Sequence, residues 1–167
     1  MSIEKVRTAL AALGLSERIR EFEVSSATVA LAAEALGVEG SRIAKTLSFH
    51  NPKQENSCIL VVCAGDVKID NAKFKERFGF KAKMLSADEA LSRTGHAVGG
   101  VCPFALPQGV EVYVDSSLYR FDIVYPAAGS SNSAVRLTPD ELFSASWASD
   151  KVDVCRPIQT ETTQGDN

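Results

Sequence analysis

The apolar residues of this chain follow two spacings, one typical of helices and one typical of strands. From Ser2 to Leu13 apolar side chains recur every three or four residues, which predicts an amphipathic helix that Gly14 ends. The alanine-rich segment from Ala27 to Leu36 predicts a second helix, followed by Gly37 in the left-handed position that often closes helices.

Three further helices are predicted from their end signals. Each begins with a side chain that can accept a hydrogen bond from the first turn of the helix. These signals are Asp70, with Gly79 at the far end, Ser86 with Glu89, and Thr138 with Pro139 and Glu141.

Two segments have the strongest strand character. Ile43–Phe49 and the continuously apolar Ile59–Ala64 flank a polar stretch, residues 51–57, which predicts a hairpin. Shorter strands are predicted at Phe80–Leu85, Val110–Val114 and Phe121–Tyr125. Helices and strands interleave through connections of both hairpin and crossover length. The order therefore predicts an α/β (α+β) fold with a mixed, mostly antiparallel sheet surrounded by helices.

Length and composition indicate one domain. The chain has 167 residues, 45% of them hydrophobic, which is enough to bury a sizeable core. We expect a domain over residues 1–156 and a polar, disordered tail over residues 157–167. The longest apolar run is too short to span a membrane, and no basic leader precedes it, so we expect a cytoplasmic protein. The four cysteines lack metal-ligand spacing, and we predict neither a metal nor another cofactor.

Lys45 is the first candidate for chemistry. In an ideal strand it shares a face with Ile43, Leu47 and Phe49, whereas Thr46 points the other way. Desolvating an ammonium group is costly, so a lysine on an apolar face is typical of a cleft with a functional charge. The stem could equally lie on apolar surface while the charged end reaches water.

A glycine-rich segment, Gly99-Gly100-Val101-Cys102-Pro103, is the second candidate. Two glycines allow the backbone to approach a ligand closely, and the proline stiffens the exit. Such a loop can direct backbone amides at an oxyanion. An ordinary bend between a strand and a loop has the same composition.

Taken together, several motifs resemble the YbaK/EbsC aminoacyl-tRNA deacylases, which are related to the editing domain inserted in bacterial prolyl-tRNA synthetases. The resemblance covers residues from about 25 to 155 in matching order and spacing. Its motifs are Ala35-Leu36-Gly37-Val38, Ile43-Ala44-Lys45-Thr46-Leu47, the segment from Thr94 to Pro103, Ala128-Gly129, Val135-Arg136-Leu137 and Thr138-Pro139-Asp140-Glu141-Leu142.

The resemblance implies hydrolysis of the ester that joins a wrong amino acid to its tRNA. The implied catalytic groups are Lys45 and the loop residues Gly99, Gly100, Val101, Cys102 and Pro103, whose amides would stabilise the oxyanion. Lys45 would steady a phosphate, the ester carbonyl or the oxyanion, and the sequence does not choose among them. The implied substrate-binding residues are Thr46, His96, Ala128, Gly129 and Ser130. His96 could equally be a hydrogen-bonded structural residue.

The charge distribution adds a possible tRNA contact. The net charge of −3 argues against a protein that coats nucleic acid, including DNA. The segment from Lys68 to Lys83, however, contains six basic residues and only two acidic ones. The lysines that could contact tRNA are Lys68, Lys73, Lys75, Lys81 and Lys83. They could also be an ordinary solvated surface.

The sequence leaves open which amino acid the protein would remove and whether the protein is a deacylase at all. The cysteinyl branch, as we interpret its pattern, has a serine and an aspartate where this chain has Ala127 and Ala134, which argues against cysteinyl-tRNA. Other small amino acids, on tRNA for proline or another tRNA, stay open. Two alternatives to the deacylase remain. One is a non-catalytic module that binds tRNA or a synthetase, and the other is a small-ester hydrolase that uses the Cys102 thiol. A transient complex with an aminoacyl-tRNA synthetase is a further expectation.

Overall fold

The computed structural model of the chain describes residues 2–158. Within this range it has five α-helices and nine strands. The helices are α1 (Ser2–Ala11), α2 (Val29–Leu36), α3 (Asn71–Phe78), α4 (Ala87–Thr94) and α5 (Pro139–Ala145). The strands are β1 (Ile19–Glu21), β2 (Ile43–Phe49), β3 (Ile59–Ala64), β4 (Val67–Ile69), β5 (Glu111–Asp115), β6 (Tyr125–Pro126), β7 (Ser133–Val135), β8 (Asp150–Val152) and β9 (Cys155–Pro157). None of these helices is long and apolar enough to cross a bilayer.

A five-stranded sheet in the order β6-β2-β3-β5-β8 forms the centre of the fold. The hairpin of β2 and β3 is antiparallel, and the other three pairings in this sheet are parallel. Two small antiparallel sheets, β1 with β7 and β4 with β9, flank it. The prediction of a mixed sheet with helices around it is therefore confirmed.

The core forms around β3. All six residues of this strand are buried, which agrees with its continuous apolar sequence, because both faces of a central strand are covered. Phe74 on α3 is fully buried and packs at a tilt against Phe49 at the end of β2, with ring centroids 5.0 Å apart. Burial of the hairpin and of α3 thus fixes the position of β2, which carries Lys45.

The predicted helix signals have the expected geometry. The Asp70 carboxylate accepts a hydrogen bond from the amide of Lys73, and Gly79 closes α3 at a φ of 87°. Ser86 and Glu89 form a complete capping box on α4, and Thr138 and Glu141 form another on α5. At the N-terminus, α1 ends at Ala11, two residues earlier than predicted.

Two predicted strands are wrong. In the segment Phe80–Leu85 only Met84 makes a β-bridge, to Phe49, because Phe80 packs against the rings of Phe74 and Phe78 and this cluster sets the course of the chain. In Phe121–Tyr125 only Tyr125 lies in a strand.

The Phe121 ring lies under two guanidinium groups, those of Arg42 and Arg120, at 5.1 and 4.8 Å. Arg42 also donates to Asp122 and to the Ile123 carbonyl, and before β6 only Val124 of this segment makes a β-bridge, to Leu137. At the C-terminus, Pro157 belongs to β9 and pairs with Val67, so the predicted tail begins inside a strand. The remainder of the predicted tail, residues 159–167, lies outside the described residues.

An ion pair connects α5 to the segment before β1. Both nitrogens of the Arg18 fork donate to the Glu141 carboxylate, at 2.7 and 2.9 Å, while Glu141 also accepts the Thr138 amide in the capping box. The hydrogen bonds from Arg18 lower the pKa of Glu141 from its ordinary value of 4.5. A carboxylate with a lowered folded-state pKa stabilises the fold above its unfolded pKa, and the stabilisation is lost as the pH falls through the folded pKa.

Glu141→Gln should keep the cap and remove the ion pair. We expect thermal unfolding at pH 7 to show a midpoint lower than native by about 1–3 °C, since paired but partly exposed charges contribute little. The difference should shrink as the pH falls from 4.5 through the lower folded-state pKa of Glu141, where the native carboxylate becomes protonated. Glu21→Gln, which breaks the more exposed pair with Arg7, is the control. A difference that does not change with pH would mean that packing, not charge, accounts for the effect.

Candidate active site

A cleft of about 240 Å³ lies where α2, β2 and the glycine-rich loop meet. Its other walls come from the segment before α4 and from the ends of β6 and β7. Its lining residues are Ser26, Ala27, Thr28, Val29, Ala32, Ile43, Ala44, Lys45, Thr46, Ser48, Met84, Leu85, Ser86, Ala90, Val98, Gly99, Val101, Tyr125, Ala127, Ser133 and Ala134. Their chemistry is mostly apolar or hydroxylic, which is typical of a small-ligand site.

Lys45 provides the only formal charge among the described residues that line the cleft. Its side chain is half-buried, and within residues 2–158 it makes no ion pair. Its charge acts on Asp66. Hydrogen bonds from Arg120 are the main cause of the lowered pKa of Asp66, and the charge of Lys45 contributes to it as well. Since Asp66 is already paired with Arg120, the Lys45 ammonium is available to a ligand.

Thr46 presents an unused hydroxyl beside Lys45. Strand alternation puts Thr46 on the same face as Ala44 and Ser48, and all three line the cleft. The Thr46 hydroxyl oxygen is buried and has no hydrogen-bond partner among the described residues. A buried polar atom of this kind costs free energy unless a ligand or water satisfies it. Thr46 thus lines the cleft, but its hydroxyl oxygen lies beneath the surface, where a substrate reaches it only if the wall shifts.

The glycine-rich loop forms one wall through close backbone contact. Gly99 has a φ of +93°, a conformation that side chains disfavour. A Cβ atom on Gly100 would lie 2.8 Å from the Ser130 backbone, closer than real contacts allow. The loop therefore rests directly on the chain at Gly129 and Ser130, and only glycine fits at this position.

The loop has free amides, though not at every position. The Gly100 amide donates to the Ala97 carbonyl at 2.9 Å, so it is occupied by the turn itself. Within the described part of the chain, the amides of Gly99 and Val101 have no protein acceptor, and both residues line the cleft. These two amides are the ones that this loop can offer to an oxyanion.

Cys102 and His96 lie behind the loop. Both are fully buried, and neither lines the cleft. The His96 ring donates from Nε2 to the Phe104 carbonyl at 2.8 Å, because a carbonyl can only accept, and its Nδ1 accepts from the Ser2 hydroxyl. Burial lowers the pKa of His96, which keeps it neutral at pH 7. These bonds tie the loop to α1.

The Cys102 thiol is poorly suited to nucleophilic attack. Burial raises its pKa to about 12, so almost none is thiolate at neutral pH. The His96 Nε2 lies 3.5 Å from the sulfur, but its proton is directed at the Phe104 carbonyl. The geometry therefore favours a packing role for Cys102 over the thiol-hydrolase alternative.

Comparison with known proteins identifies the domain. The profile of the "Aminoacyl-tRNA editing domain" family matches residues 23–145, about three quarters of the chain. The chain belongs to the aminoacyl-tRNA editing domain family.

Three relatives illustrate the range of this editing domain. The uncharacterized protein YwhH of Bacillus subtilis is 53% identical over 93% of this chain and 98% of its own. EbsC of Enterococcus faecalis, named as a candidate Cys-tRNA(Pro)/Cys-tRNA(Cys) deacylase, is 26% identical over 67% of this chain and 68% of its own. The crystal structure of a candidate trans-editing enzyme for prolyl-tRNA synthetase superposes with a TM-score of 0.83 at 28% identity, covering 93% of this chain and 97% of that one.

The structure brings only part of the predicted site into the cleft of the editing domain. Lys45, Thr46, Gly99 and Val101 line it together. Gly100, Ala128, Gly129 and Ser130 lie behind the wall and support it, and the Ser130 hydroxyl donates to Ser133 at 2.6 Å. Pro103 lines a separate groove of about 170 Å³ beside Trp147. His96 and Cys102 do not line the cleft, so we assign them no contact with a substrate.

Sequence reasoning missed several cleft residues. Thr28 caps α2 by accepting the Leu31 amide, and it places the positive end of that helix dipole at the cleft. Its signal, a threonine just before an alanine-rich run, was available in the sequence. Ser133 and Tyr125 also line the cleft, but they arrive from distant strands and no local pattern marks them.

The predicted tRNA-contacting lysines differ in their surroundings. Lys73 donates to Asp153 at 3.1 Å, and this contact raises its pKa. Lys75 and Lys81 line a second depression of about 470 Å³. Lys83 is exposed and directly precedes Met84, a residue of the cleft wall. Lys68 is exposed on β4. Among the described residues, no three His, Cys, Asp or Glu side chains are grouped as a metal would require.

Gly100→Ala should displace the loop from its support. The added Cβ meets backbone at 2.8 Å, and backbone cannot yield as a flexible side chain can. We expect a lower unfolding midpoint and faster alkylation of the otherwise buried Cys102, measured by mass spectrometry after iodoacetamide treatment. Gly40→Ala is the matched control, because its Cβ would meet only a valine methyl at 3.4 Å. Equal alkylation in both variants would show that the contact does not hold the loop.

Proposed function

We propose that this protein is a free-standing trans-editing hydrolase that deacylates mischarged aminoacyl-tRNA. The substrate class is a small amino acid, with tRNA for proline as the first expectation. The protein would act in the cytoplasm, where aminoacyl-tRNA is made and used, in transient contact with an aminoacyl-tRNA synthetase. Membership of the editing-domain family supports the reaction class.

The observation that carries this proposal is the composition of the cleft. Lys45, whose ammonium makes no ion pair within residues 2–158, lines a mostly apolar space together with Gly99 and Val101, whose amides have no protein acceptor there, and no carboxylate or imidazole is among the described lining residues. Ester hydrolysis builds negative charge on the carbonyl oxygen, and fixed positive charge and N–H donors stabilise that charge. A site that offers these donors suits the hydrolysis of an already activated ester.

The chemical steps assign each group a task. Water attacks the ester carbonyl carbon, and the amides of Gly99 and Val101 with the Lys45 ammonium stabilise the oxyanion that forms. The bond from carbon to the ribose oxygen then breaks. That oxygen takes the proton that water releases, with the neighbouring ribose hydroxyl as the nearest relay. The products are a free amino acid and an uncharged tRNA.

The cleft walls support a small, apolar aminoacyl group. Ala127 and Ala134 pair through a β-bridge, and both line the cleft. Two alanines give this wall no hydrogen-bonding side chain for a thiol or a hydroxyl. At about 240 Å³ the cleft is also smaller than the ~300–1,000 Å³ typical of sites for drug-sized ligands. We assign Thr46 to the substrate amino group, which its hydroxyl would reach once the cleft wall admits a ligand.

A panel of mischarged tRNAs tests this function. Alanine, serine, cysteine and threonine are each charged on tRNA for proline and on their own tRNAs, and deacylation is followed with native protein, Lys45→Ala and Lys53→Ala. We expect one or a few substrates to be hydrolysed, and Lys45→Ala to lose about 10²–10³-fold in rate because a fixed donor to the oxyanion is gone. Lys53 is exposed and outside the cleft, so Lys53→Ala should match native.

The outcomes separate the alternatives. Thermal unfolding establishes that each variant is folded. Absence of hydrolysis, together with saturable tRNA binding, would replace the enzyme with a binding module. Full activity of Lys45→Ala would refute the proposed mechanism. Loss of activity in Cys102→Ser but not in Lys45→Ala would support the thiol hydrolase instead.

Exposed lysines in the segment that leads to Met84 should contribute to tRNA affinity. The double variant Lys81→Ala and Lys83→Ala should raise the KM for aminoacyl-tRNA without lowering kcat. The slope of log KM against log salt concentration should become shallower by about one unit for each phosphate contact that is lost. Lys73 should contribute less, since Asp153 already engages its ammonium. Lys53→Ala is again the control. If KM and salt slope do not change, these lysines are a solvated surface only.

A further inference from the structure

Two exposed apolar side chains mark the mouth of the cleft. Met84 is 56% exposed and Val98 is 64% exposed, and both also line the cleft. They come from separate segments, one before α4 and the other before the glycine-rich loop. Single exposed apolar residues are common, but two of them at the rim of a ligand cleft are typical of a binding surface.

Neither side chain is needed to hold the fold at this point. Met84 joins the sheet through a backbone bridge to Phe49, and Val98 lies in the turn where the Gly100 amide bonds to the Ala97 carbonyl. Both contacts use main-chain atoms. The exposed side chains therefore remain available to a ligand.

The chemistry of the proposed substrate determines what lies at this mouth. If the ester carbonyl is held by Lys45 and the Gly99 amide, the ribose on the other side of the ester extends outward. The terminal base is attached to that same ribose, so it must lie at the rim. The exposed thioether and isopropyl groups provide an apolar surface there, and thioethers make favourable contacts with aromatic rings.

We propose that Met84 and Val98 form a subsite that grips the faces of the terminal adenine of aminoacyl-tRNA. This inference rests on the proposed function and names the part of the substrate that the rim binds. Neither side chain offers a donor or a strong acceptor, so the base is bound through its faces and not read through its edges.

Competitive inhibition tests the subsite without requiring turnover of the ligand. The probes are 3′-amino-3′-deoxyadenosine acylated through the amide with an amino acid that the protein hydrolyses from tRNA, and the same amide built on methyl riboside, which has no base. Inhibition of aminoacyl-tRNA deacylation is measured with native protein, with the double variant Met84→Ala and Val98→Ala, and with Leu13→Ala. Leu13 is 48% exposed and does not line the cleft, so it is a matched control.

We expect native protein and Leu13→Ala to bind the adenosine amide more tightly than the base-free amide by about fivefold or more, given the apolar area removed from water. The double variant should lose this preference, while the inhibition constant for the base-free amide stays the same and the unfolding midpoint stays native. Equal inhibition by both probes, no inhibition by either, or an unchanged preference in the double variant would overturn the subsite while the deacylase function stands. If native protein deacylates no tRNA, the proposed function fails, and this subsite with it.

Discussion

The contact between Gly100 and the backbone of Ser130 sets the geometry on which the candidate site depends. The loop can lie against this second chain segment only because Gly100 has no Cβ, which would otherwise come within 2.8 Å of backbone atoms. His96 fixes the loop from behind through the Phe104 carbonyl and the Ser2 hydroxyl. The amides of Gly99 and Val101 are thus held in place before a ligand arrives, which is what stabilisation of a developing charge requires.

Charge in the cleft is restricted to one group. Lys45 is half-buried and unpaired among the described residues, while Asp66, a carboxylate on which its charge acts, is bound by Arg120. An ammonium in a partly desolvated cleft interacts with a ligand more strongly than it would in water. The pairing of Asp66 with Arg120 therefore matters for function, because it leaves the Lys45 charge for the substrate.

Local sequence signals predicted the elements that carry the site. The bounds of β2 and β3 follow from strand alternation and from a continuous apolar run, and the caps at Asp70, Ser86 and Thr138 follow from side chains that bond to the nearest turn. The strand predictions for Phe80–Leu85 and Phe121–Tyr125 were wrong. The courses of these segments depend on aromatic and cation–π contacts with residues far away in the sequence.

The sequence by itself determined the family, the strand that carries Lys45 and the loop that carries the glycines, because these depend on residue types at short, fixed spacings. Only the tertiary structure decided which of those residues share one cleft. Cys102 and His96 belong to the loop motif, yet the loop turns them into the core, whereas Thr28, Ser133 and Met84 reach the cleft from other elements. The direction of a side chain outside a regular helix or strand is set by long-range packing, and packing is not encoded in any single segment.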